Sequence, residues 1–70
     1  MRPFPEPKRA WVHFPDGESE LAQEIRRVNP KNKAHHRLRR GSYWYVIWRN
    51  ADGSPFIRFY GDPLPVTLEY

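Results

Sequence analysis

Two runs of β-branched and aromatic residues, Tyr43-Trp44-Tyr45-Val46-Ile47-Trp48-Arg49 and Phe56-Ile57-Arg58-Phe59-Tyr60, flank Asn50-Ala51-Asp52-Gly53, and no other stretch leaves the chain so little choice of structure. Such side chains fit a pleated, half-buried surface. The four residues between them have the composition of a type I turn closed by a glycine that takes positive φ at no steric cost. Residues 42–60 therefore read as a β-hairpin. With Asn50 facing Ser54, Trp48 falls opposite Phe56, Ile47 opposite Ile57, Val46 opposite Arg58, Tyr45 opposite Phe59 and Trp44 opposite Tyr60.

Because side chains alternate across a strand, this register sorts the hairpin into two faces. Tyr45, Ile47, Ile57 and Phe59 share one. Trp44, Val46, Trp48, Phe56, Arg58 and Tyr60 share the other. Neither is the polar face that a sheet half-exposed to water normally shows. Each must be covered by the rest of the chain, by a second copy or by a ligand, which points to a binding module.

The rest of the chain offers few elements to provide that cover. Seventy residues make one domain, and a chain this short buries only about 60% of the surface its unfolded form exposes. With no cysteine there is no disulfide, no thiol nucleophile and no Cys-based zinc site. Residues 2–14 lack the apolar run of a signal peptide, and no window approaches the ~20 apolar residues of a membrane span. A soluble, cytoplasmic protein is expected, with no membrane partner.

Residues 1–8 carry Pro3, Pro5 and Pro7 in alternation, which excludes helix and favours an extended, polyproline-like arm. Residues 9–70 form the single folded domain. Ala10, Val12 and Phe14 alternate with Trp11 and His13 as in a strand, ended by Pro15-Asp16-Gly17. Over residues 18–28 the period becomes helical, with Leu21, Ala22, Ile25 and Val28 on one stripe. Its ends agree with that reading: Asp16 or Ser19 caps the start, Glu18 and Glu20 face the positive end of the dipole, Arg26 and Arg27 the negative end, and Asn29-Pro30 stops it. Lys31 to Gly41 reads as a basic loop. Val66, Leu68 and Tyr70 form a last strand that Pro63 and Pro65 assign to a sheet edge. The expected fold is thus α+β: strand, helix, hairpin, strand, in a three- to four-stranded, mostly antiparallel sheet with one helix packed on Tyr45, Ile47, Ile57 and Phe59.

Charge separates along the chain. Residues 26–40 hold Arg26, Arg27, Lys31, Lys33, Arg37, Arg39 and Arg40 with no acid, a local +7, whereas the remainder has five basic against eight acidic residues, a net of −3. One basic segment on a mildly acidic body is the electrostatic footprint of a polyanion partner. Its arginines and lysines would neutralise phosphates. Trp44 and Trp48, with Arg58 between the aromatics of the same face, would lie along the bound strand as stacking surfaces. The expected partner is DNA or RNA.

The run Arg39-Arg40-Gly41-Ser42-Tyr43-Trp44-Tyr45-Val46, followed by Arg49, Asp52-Gly53 and the second strand, resembles the arm-type DNA-binding sheets at the start of tyrosine recombinases. In that family a basic lead-in and a hairpin place side chains in the major groove. The resemblance covers about a third of the chain, and the helix expected here precedes the hairpin where in that family it follows.

Other chemistry has little to build on. Ser19, Ser42, Ser54 and Thr67 are the available hydroxyls, none in a nucleophile elbow or beside a base in sequence. His35 and His36 are adjacent and project differently, so no metal site is expected. No cofactor and no enzymatic activity are expected. The competing class is a protein-binding module, in which the aromatic face is an interface core and the basic segment its steering rim. A small virus- or mobile-element-type inhibitor that occludes a host nuclease, polymerase or nucleoprotein, in the manner of anti-CRISPR proteins, belongs to that class. A homodimer through Trp44, Trp48 and Phe56 is a further way to cover the face.

Overall fold

The computed structural model describes residues 5–28 and 36–70. These form seven strands and no helix: β1 (Arg9–His13), β2 (Ser19–Leu21), β3 (Glu24–Arg27), β4 (His36–Arg40), β5 (Tyr43–Arg49), β6 (Pro55–Phe59) and β7 (Asp62–Glu69). All neighbouring strands are antiparallel, and the sheet, in the order β2-β1-β7-β6-β5-β4-β3, curls into a half-barrel. The expected α+β architecture, with its helix over residues 18–28 and only three or four strands, is therefore corrected to an all-β one. No helix among the described residues is long and apolar enough to cross a membrane.

The reason the helix gives way lies at Ala22-Gln23. The chain leaves β2, paired to β1, and two residues later enters β3, paired to β4, so the two end strands of the sheet are almost continuous. At this corner the Ala22 amide donates to the Ala10 carbonyl and the Gln23 amide to the Arg39 carbonyl, both at 2.8 Å. Glu20 pairs with inward Val12 and Ile25 with inward Leu38, so the corner slips the alternation by one residue. Ala22 and Ile25, three apart, both pack on the core. That spacing of three imitates a helix. A helix of about three turns is marginal on its own, whereas the same residues as strands satisfy backbone groups on β1 and β4 that would otherwise form open edges.

Curling solves the problem of the hairpin's inner face. Ala10, Val12, Leu38, Ile47, Ile57, Leu64 and Val66 form the buried core, with Phe14, Ala22, Ile25, Tyr45, Phe59 and Leu68 packed around it. Each strand thus covers the concave side of another. The hairpin itself has the expected turn: Trp48 faces Phe56 and Arg49 faces Pro55, the Asn50 amide donates to Ser54 O, and Gly53 donates to Asn50 O with its φ at 90°. Arg49 reinforces it from the side, donating to the Gly53 carbonyl at 2.9 Å.

β7 is central, between β1 and β6. Its prolines remain compatible with that place. The Glu69 carbonyl accepts from Lys8, so alternate residues counted back from it, including Pro65 and Pro63, turn their backbone groups toward the β1 side. β1 pairs only with Val66 to Glu69, and the prolines lie beyond its reach while Phe56 and Arg58 of β6 face them from the other side. No ladder bond is lost there.

The seam between β1 and β7 is tied by side chains on the convex surface. Glu69 accepts from Trp11 Nε1 at 2.8 Å and from Arg9 Nε. His13 sits between Ser19 Oγ of β2, 2.9 Å from Nδ1, and Thr67 Oγ1 of β7 on Nε2. Two of the hydroxyls that lie beside no base in sequence are thereby brought to one histidine.

Candidate nucleic-acid interface

On the convex side of β3, β4 and β5 the outward residues form two rows across the strands. Glu24, Arg39 and Trp44 make one, and Arg26, Arg37 and Val46 the next. Arg26 and Arg37 are direct cross-strand partners, and like charges in that position repel. Trp44 is what they share. The Arg37 guanidinium lies 4.7 Å and that of Arg26 5.5 Å from the indole centroid, a cation–π arrangement that holds both planar groups against one ring.

A single acid moderates the cluster. Glu24 accepts from Arg26 through one oxygen and from Arg39 through the other at 3.4 Å. The hydrogen bond from Arg26, aided by that from Arg39, holds the Glu24 carboxyl below its ordinary range. Arg39 is further committed to Gln23 Oε1 at 2.7 Å and to the Gly41 carbonyl at 2.9 Å. It is a brace between β3 and β4, with three of its five N–H donors engaged in these bonds.

The expected site residues therefore part company. Arg26, Arg37 and Trp44 come together, with Arg39 anchored beside them. Trp48, still 36% exposed, and Arg58, whose guanidinium lies 5.8 Å from the Trp48 ring, form an adjoining pair on β5 and β6. The convex apolar face of the hairpin is thus covered in part by arginine side chains, which lay apolar stems on it and keep their charge in water. Arg40 goes elsewhere: it turns to the concave side, bonds Glu20 at 3.0 Å and lies over Phe14 and Phe59. Arg27 pairs with buried His36 and is exposed, on the opposite side of β3 from Arg26. Lys31 and Lys33 lie outside the described residues. The basic loop expected through residue 41 is corrected: His36–Arg40 is β4, an inner strand of the sheet.

Glu24 and Gln23 are members of the site that no sequence signal marked, because both stood inside the expected helix. Among the described residues no three metal-ligating side chains converge. In comparisons with protein-family models, curated proteins and solved structures, nothing matches this chain.

Proposed function

We propose that the chain is a small nucleic-acid-binding module whose convex β3–β4–β5 surface engages the phosphate backbone through Arg26 and Arg37, with Trp48 and Arg58 extending the contact along the strand. The observation that carries this reading is the placement of Arg26 directly opposite Arg37, both over Trp44. A sheet under selection for stability alone avoids opposed like charges, and departures from local rules concentrate where a ligand repays them. A bound phosphate relieves the repulsion. Contact with the Trp44 ring also restrains the two guanidinium groups, which lowers the ordering cost of their contacts to phosphate oxygens.

Binding of this kind has little sequence preference and depends on salt. If Arg26, Arg37 and Arg58 each neutralise one phosphate, log affinity falls against log salt with a slope of about −2 to −3. Fluorescence anisotropy with single- and double-stranded DNA and RNA measures it directly. Arg37→Ala should flatten the slope by about one, while Arg40→Ala, at a different place on the molecule, should leave it unchanged. No affinity for any of the four at about 50 mM salt, where such contacts are strongest, would transfer the exposed Trp48 to a protein partner and favour the occluding-inhibitor reading.

A further inference from the structure

A second surface lies at one end of the half-barrel, where the turns β1–β2, β4–β5 and β6–β7 meet. It is built of rings. A cleft of about 300 Å³ is lined by Tyr43, Tyr45, Phe59, Tyr60 and Arg40. Arg40 also borders a neighbouring cleft of about 380 Å³ with Phe14, Asp16, Glu18 and Glu20. Phe59 joins the two halves, edge-on to Phe14 at 5.8 Å and to Tyr60 at 4.7 Å between centroids.

Tyr60 is out of place by every local criterion. It is 92% exposed, and with Gly61 it forms the two-residue β6–β7 turn between Phe59 and Asp62. Both turn residues have positive φ, 51° and 84°. That is a type I′ turn, whose first position favours Asn, Asp or Gly, and a bulky residue there is an outlier. The strain of an aromatic held in this backbone region marks functional surfaces more often than structural ones. Tyr43, at 70% exposure, stands on the same cleft across the β4–β5 turn.

We propose that this end of the half-barrel binds a basic, proline-rich peptide segment in the polyproline II conformation. The occupant follows from shape and charge. The ring-lined cleft is built on β4, β5 and β6, each paired on both sides, so it offers no free strand edge for a partner strand to join and recognition there must run through the exposed rings. Polyproline II is the conformation that presents a preformed ridge to aromatic-lined grooves, and it brings no internal hydrogen bonds that docking would have to break. The adjoining cleft carries three carboxylates, Asp16, Glu18 and Glu20, against the one guanidinium of Arg40, an acidic rim on a chain whose net charge is +4. A lysine or arginine at the end of the proline run completes the match, whereas a polyanion is repelled.

The probe is a capped peptide, Arg-Pro-Pro-Pro-Pro-Pro-Arg, titrated into the full chain and followed by amide and aromatic chemical shifts. Saturable shifts at Tyr43, Tyr45, Phe59 and Tyr60 are expected. Exchanging the prolines for alanine, or both arginines for glutamate, should weaken binding by about tenfold or more, the loss typical of removing an anchor. Tyr60→Asn should do the same while the melting temperature holds or rises, because Asn suits the turn. If that variant fails to fold, Tyr43→Ser serves in its place. Arg37→Ala should leave peptide affinity unchanged, which separates this site from the phosphate-binding face. Equal affinity for the glutamate-ended peptide, full affinity in Tyr60→Asn, or no shift at the four rings with millimolar peptide would overturn the proposal.

Discussion

The guanidinium of Arg37 on β4 lies over the indole of Trp44, 4.7 Å from its centroid, without Arg37 being its cross-strand partner; Arg39 holds that position. The contact is thus diagonal, and it carries the Arg37 guanidinium toward the Arg26 side chain on the same ring. Trp44→Leu keeps every charge but removes the platform. Nucleic-acid affinity should fall several-fold with the salt slope unchanged, because the number of phosphates neutralised stays the same. A slope that flattened with the affinity would show Trp44 to be needed for the charge contacts themselves.

Glu24 is the one carboxylate within the arginine cluster. Glu24→Gln raises the local charge by one and releases Arg26, so binding at low salt should tighten and the salt slope steepen by up to about one. Anisotropy titrations across a salt series read both quantities. A variant indistinguishable from the parent would place the bound strand away from β3.

The core is small, and a few side chains dominate it. Leu38 and Ile57 are fully buried, whereas Ile25 is only partly covered at the edge of the cluster. Leu38→Ala should cost about 2 to 5 kcal/mol, a large share of the stability of a domain this size. Ile25→Ala should cost clearly less. Denaturant unfolding of the two variants tests the ranking, and a reversal would move the weight of the core toward the β3 edge of the sheet.

Acid should loosen the β1–β7 seam. The hydrogen bond from Arg9, then that from Trp11, holds the Glu69 carboxyl below its ordinary range. A carboxylate whose pKa is depressed by folding stabilises the native state above its unfolded value, about 4, and that contribution is lost as pH falls through the folded value. Unfolding free energy should therefore drop below about pH 4, with Glu24 and Asp52, both also lowered, acting in the same window. Glu69→Gln should make the fall shallower. An unchanged pH profile in that variant would assign the acid sensitivity to other carboxylates.

The hairpin could be read from the chain because its information is local: Asn50, Asp52 and Gly53 specify the turn, and the turn then sets Trp48 against Phe56. Its two faces followed by alternation alone. The partner of the inner face was not legible, since sheet curvature depends on which distant strands join, and the single-residue slip at Ala22-Gln23 leaves only a helix-like spacing behind. β4 was hidden for a different reason. Its inward residues are His36, Leu38 and Arg40, so one leucine is all that marks the apolar side. The arginine cluster was visible as charge, but the separation of Arg37 from Arg39 and Arg40 required knowing which of them an acid from β2 or β3 would claim.

Arg9 and Glu69 are cross-strand neighbours 60 residues apart, and this long-range closure governs the order of folding. The hairpin around Asn50 and Gly53 closes a loop of a few residues and is free to form early, on the microsecond scale of isolated hairpins. The β1–β7 seam must bring together nearly the whole chain, with an entropic cost that grows with the logarithm of the enclosed length. Sheets dominated by such non-local pairings fold in milliseconds to seconds. Until Glu69 meets Arg9 and Trp11, β1 and β2 are held to the sheet only through the Ala22-Gln23 corner. A β3–β7 meander formed without the seam would leave its apolar face open, and the rate at which the seam closes would set how long that face is available to wrong partners.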